Sequence, residues 1–189
     1  MRRAWAWGVP VAVLALVALG GLYAITTPRF ALYRLGVAMQ RHDVALAERY
    51  FDAERIADGA TDVLVGDYFA RQPAPASEAE VNGRQLAASI ARRRLRPQVL
   101  TRVRAELRRS VERAGIQPVS VALPLGLVAV VRGFRVSGQG SEAWVTYQDP
   151  TQGLIRFRMS RQPDWSWRIS EFDPDWVRRR AQEAPPRLR

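Results

Sequence analysis

The sequence contains no cysteine and no lysine, and a single histidine, His42, in 189 residues. Without thiols there are no disulfides, thiolate zinc sites, iron–sulfur clusters or cysteine nucleophiles. One imidazole leaves no multi-histidine metal site within a chain. The chain also lacks a P-loop, a dinucleotide-binding glycine fingerprint, a G-x-S-x-G elbow and any metal-ligand spacing. The catalytic, cofactor and metal sets read from the sequence are therefore empty. No cofactor is expected, and the reading leans towards a non-enzymatic protein. At 48% hydrophobic and 25% charged residues, the composition excludes a wholly disordered or collagen-like chain. The length suits one modest domain with appendages.

What is present begins with a greasy leader. Residues 4–25, AWAWGVPVAVLALVALGGLYAI, form 22 consecutive positions without a charge. As a helix this reaches about 33 Å, against a bilayer core of about 30 Å. Arg2 and Arg3 precede it, and Trp5, Trp7 and Tyr23 sit near its ends, as interfacial aromatics do. The expectation is an uncleaved single-pass anchor in the inner (plasma) membrane, in contact with the bilayer through 4–25. The positive flank stays in the cytoplasm and the C-terminal domain lies outside it, facing an envelope partner. A cleaved signal peptide is the alternative, but its apolar core would be shorter and followed by a small-x-small site.

All 29 basic residues are arginine, and the formal net charge is +11. The excess is local. Residues 84–114 hold ten arginines and two glutamates, whereas the preceding 53–83 are net acidic. Val99, Val103, Leu107 and Val111 recur at helical spacing inside the basic segment, and Pro97 is expected to divide it into two helices. Arg92, Arg93, Arg94, Arg96, Arg102, Arg108, Arg109 and Arg113 are candidates for contact with an anionic surface, lipid or nucleic acid. Nucleic acid is the less favoured partner, because no aromatic residue is interleaved among them. The competing reading is a solvated helix in a chain that uses arginine wherever others use lysine.

The rest divides by periodicity. Thr27 and Pro28 read as a helix cap and first position, and Asp43 and Asp52 cap two further helices. Residues 73–83 read as a loop and 178–189 as a frayed basic tail. Residues 119–131 fit either a strand or a short helix. Over 134–172 the pattern changes to period two. Four strands result, with Val136, Val145, Phe157, Trp165, Trp167 and Ile169 on an apolar face and Arg135, Trp144, Arg156 and Arg158 on the other. The fold class expected is α+β: a transmembrane helix over 1–29, then a soluble domain over 30–177 with helices packed on a four-stranded antiparallel meander. Two clusters invite a chemical reading. His42 beside Asp43 is the one acid–base pair worth weighing, as part of a helix–sheet pocket. Trp144, on the arginine-bearing face, is the aromatic candidate for ligand contact.

The segments PRFALYRLGVAMQRHDVALAERYFDAERI and GFRVSGQGSEAWVTYQDPTQGLIRFRMSRQPDWSWRISEF carry a family likeness. Together with the leader they resemble the bacterial membrane-anchored family known as domain of unknown function 2939. The matching elements are an aromatic-x-x-Tyr-x-Leu helix (Phe30, Tyr33, Leu35), an Asp-capped helix ending in aromatic-Asp (Asp43, Phe51, Asp52) and a closing Trp-x-Ile strand (Trp167, Ile169). The helix-then-meander order is also similar to cone-shaped folds of the nuclear-transport-factor-2 type. These resemblances imply architecture and location, and no activity.

Overall fold

A computed structural model describes residues 26–113, 133–138, 140–149 and 153–183. They form α1 (Pro28–Gln40), α2 (Val44–Glu48), α3 (Ala53–Ala70), α4 (Glu78–Arg113), β1 (Phe134–Ser137), β2 (Glu142–Asp149), β3 (Gly153–Arg161), β4 (Trp167–Phe172) and α5 (Pro174–Glu183). Three helix starts are fixed by side-chain oxygens, as the sequence predicts. Thr27 Oγ1 accepts from Phe30 N–H at 3.3 Å, Asp43 Oδ1 from Leu46 N–H at 2.9 Å, and Asp52 Oδ1 from Arg55 N–H at 3.1 Å.

The strands lie in chain order, β1-β2-β3-β4, each antiparallel to the next. The turn after β1 depends on glycine. Gly138 has φ +144°, and a Cβ there would lie 2.6 Å from the Glu142 carbonyl oxygen. Alternation sends Ala143, Val145, Phe157, Met159, Trp167 and Ile169 to one face, where they share a core with Leu32, Leu35, Ala38, Ala47, Ile56, Leu107 and Val111. Met159, Val145 and Val111 are fully enclosed, and each such side chain gives roughly 1.5–3 kcal/mol by leaving water. The buried indole of Trp167 donates from Nε1 to the Thr26 carbonyl at 2.6 Å, tying the entry to α1 onto β4. The outer edge of β4 is closed by the α2–α3 connection. Ile169 N–H donates to the Tyr50 carbonyl and Asp52 N–H to the Ile169 carbonyl, both at 2.8 Å.

Several expectations are corrected. No helix among the described residues is long and apolar enough to cross a membrane. The expected anchor over 4–25 lies outside the described residues. Among the described helices α3 and α4 are long enough, with 18 and 36 residues, but α3 carries five charged residues and α4 ten arginines, and charges at bilayer depth are costly. The architecture is therefore α+β with no membrane-crossing helix among its described elements, and the single-pass inner-membrane reading is set aside. The segment 119–131 is likewise outside the described residues.

Pro97 does not divide the basic segment, since α4 runs through it. A mid-helix proline removes one hydrogen bond and costs about 3 kcal/mol. Pro97 is exposed, so water can serve the carbonyl left over. The helix is held on both sides of the proline, by α3 before it and by Val103, Leu107 and Val111 in the core after it. The loop before α4 gives way to helix at Glu78, and the expected tail is helical as far as Glu183. Trp165 leaves the strand pattern. It takes φ +66° in the turn before β4, is 61% exposed, and lies under the Arg161 guanidinium at 3.7 Å.

Candidate functional site

The eight candidate arginines of α4 meet different fates. On α3, Glu54, Asp58 and Asp62 recur every fourth residue and so share one helix face. Arg96 pairs with Asp58 and reaches Glu54 at 3.4 Å, and Arg92 Nε donates to Asp62 at 2.6 Å. The Asp58 hydrogen bond, followed by its charge, raises the Arg96 pKa above the ordinary guanidinium value. Arg109 pairs within its own helix with Glu106 at 3.3 Å. Arg102 and the exposed Arg93, Arg94, Arg108 and Arg113 are spread along the rest of α4. A second inter-element bridge joins α5 to α3, where Arg178 Nε lies 3.0 Å from both Asp67 carboxylate oxygens. The hydrogen bond that Arg178 donates to Asp67, then that to Asp175, raises the Arg178 pKa. Part of the basic segment thus serves as the glue of a helical hairpin.

His42 and Asp43 also have structural employment. His42 sits in the left-handed region at φ +54°, between α1 and α2. Its Nδ1 is 2.9 Å from the Val111 carbonyl, 69 residues away, in the last turn of α4. Carbonyls there have no partner within the helix, so the imidazole acts as a C-terminal cap. Asp43 spends its Oδ1 on the start of α2. Trp144 belongs to the opposite, outer face of the sheet, so His42 and Trp144 are not brought together. Among the described residues, no group of three or more His, Asp or Glu is placed to hold a metal ion.

The outer sheet face has another character. Its cross-strand rows read Arg135–Thr146–Arg156 and Ser137–Trp144–Arg158–Glu171. Within the second row, Arg158 is neutralised twice, by Glu142 at 3.4 Å and by Glu171. Arg135 and Arg156 are exposed and have no ion pair among the described residues. Two strand spacings separate their backbones, about 10 Å, with the half-buried Thr146 between them. The Arg156 guanidinium lies 4.4 Å from the centre of the Trp144 ring. Cation–π contact of this kind leaves the guanidinium N–H donors free for other acceptors. Among the described residues, the Nε atoms of Arg158, Arg161 and Arg168 are shielded from water and have no hydrogen-bond partner. On this face Arg158 is answered by Glu142 and Glu171, whereas Arg135 and Arg156 have no ion pair among the described residues.

No family model, curated protein or solved structure matches this chain.

Period-two alternation already places Arg135, Trp144 and Arg156 on one face. What it misses is which cations are satisfied. The acidic ladder on α3 was visible as an i, i+4, i+8 repeat beside a basic segment. A short connection between the two makes an antiparallel helical hairpin the natural consequence.

Proposed function

We propose that the chain is a non-enzymatic binding module that takes an anionic polymer on the outer face of its sheet. The observation that carries this is the row Arg135–Thr146–Arg156 beside Trp144: two guanidiniums with no acid partner among the described residues, a hydroxyl between them and an aromatic ring next to them. Guanidiniums suit phosphate or carboxylate groups because their donors form a planar fork. An indole beside them suits a flat ring carried by the same chain, such as a base or a sugar. A regular sheet holds the backbones of these residues at fixed spacing, which lowers the ordering cost of binding and favours a binding surface over a hinge or lid. The shared chemistry of the partner is negative groups alternating with rings. Both single-stranded nucleic acid and an acidic polysaccharide have it.

Titration of the protein against labelled oligodeoxythymidine and against heparin separates the two sources. At least one should bind in a salt-sensitive way, and Arg135→Ala with Arg156→Ala should weaken it by about tenfold per guanidinium. Trp144→Ala should weaken binding further by reducing ring contact. Binding of neither polymer, or equal binding by the arginine variants, would remove the proposal.

A further inference from the structure

The α3–α4 hairpin carries a second surface, and it does not depend on the reading of the sheet. The N-terminal half of α4, residues 78–96, is about 27 Å long and packs on one side against α3. Its exposed side carries large apolar residues among polar ones. Leu86 is 63% exposed and Ile90 45%, and they lie one turn apart, so they form a ridge. Beside the ridge runs an open groove of about 610 Å³ between the end of α3 and α4. Gly83, Ala87 and Ala91 line it together with the charged Glu80 and Arg84, and Tyr68, 64% exposed, lines it from α3. A Cβ on Gly83 would meet nothing within 4 Å. Large side chains stand beside small ones on the same helix face, so this surface can interlock with a copy of itself.

Charge fixes the direction. The half-helix begins with Glu78 and Glu80 and ends with Arg93 and Arg94. None of these four has an ion pair among the described residues, although Glu80 also accepts from Ala76 N–H. With two such helices antiparallel about a two-fold axis near Ala87, the acidic start of each meets the basic end of the other. The same placement sets each Leu86–Ile90 ridge over the partner's groove. A parallel pairing would put like charges together. We infer that the chain forms a two-fold homodimer through antiparallel packing of the 78–96 halves of α4, with the Leu86–Ile90 ridge of each copy in the Gly83–Ala87–Ala91 groove of the other.

Sedimentation equilibrium of the full chain tests this. The expected result is a dimer whose dissociation constant rises at least about tenfold in Ala87→Glu. Circular dichroism should not change, because Ala87 is exposed and glutamate is a good helix former. A charge-exchange pair makes the outcome specific. The double variant R93E/R94E and the double variant E78R/E80R should each be monomeric alone, and their mixture should recover a heterodimer. A wild-type monomer, a dimer indifferent to Ala87→Glu, or a mixture that stays monomeric would each overturn the proposal.

Discussion

Arg92 and Arg96 of α4 and Arg135 and Arg156 of the outer sheet face are chemically identical and differ in their surroundings. Before Pro97, Arg92 and Arg96 face a ladder of carboxylates on α3 and are neutralised inside the molecule. On the sheet, Arg135 and Arg156 sit across strands from each other, and Thr146 rather than an acid lies between them. The densest run of positive charge is thus partly spent on holding two helices together. The sparser set retains its capacity for an outside anion. Charge density along a sequence measures how many cations exist, and pairing in three dimensions decides which remain available.

The inner and outer faces of the sheet should separate under mutation. Met159→Ala empties a fully enclosed position and should lower unfolding free energy by about 2–5 kcal/mol in a urea titration. It should do so without altering the outer surface in the fraction still folded. The converse variant, R135A/R156A, should leave the urea midpoint nearly unchanged and weaken polymer binding by about a hundredfold.

Helix α4 offers an intermediate test. Pro97→Ala restores the missing backbone donor in an already continuous helix and should stabilise the protein by about 1–3 kcal/mol. A destabilised variant would mean that the segment is not one helix. His42→Ala removes the imidazole cap on the Val111 carbonyl and should cost about 1 kcal/mol. His42→Gly should cost less, because glycine relieves the left-handed backbone.

The smallest effect concerns acid stability. Hydrogen bonds from the Ser166 side chain, then its backbone, hold the Asp164 carboxyl below its ordinary value. A depressed carboxyl adds stability above its unfolded pKa and loses it as pH falls through the folded value. Ser166→Ala should therefore slightly lower stability at neutral pH and flatten the acid limb of a thermal-denaturation profile, the two proteins converging at low pH. An unchanged acid limb would show that the turn contributes nothing.

Much of the fold was written in local patterns. Thr27, Asp43 and Asp52 announce helix starts because a side-chain oxygen must meet an unpaired N–H. Strict alternation from Phe134 to Ile169 announces the meander, because only one face of the sheet packs on helices. Pro97 misleads because its local penalty is outweighed by contacts on both sides that no window of sequence contains. Trp165 misleads because it shares parity with Trp167 yet falls in the turn, where the left-handed backbone takes it out of the sheet. For the candidate site, residue type and face were legible for Trp144 and the sheet arginines. Availability was not, since it depends on Glu142, Glu171 and the α3 carboxylates arriving from distant parts of the chain. His42 stands beside Asp43 in sequence, while its hydrogen-bond partner, the Val111 carbonyl, lies at the far end of α4.

The most direct test of the central claim is the salt dependence of polymer binding, compared between two double variants. For single-stranded nucleic acid, each phosphate contact contributes about 0.7 to the slope of log affinity against log salt. R135A/R156A should reduce that slope by about 1.4, whereas R92A/R96A should leave both slope and affinity at the wild-type value. The same ordering should hold for heparin if that is the polymer bound. Loss of binding in R92A/R96A with retention in R135A/R156A would place the anion on the helical hairpin and contradict the account.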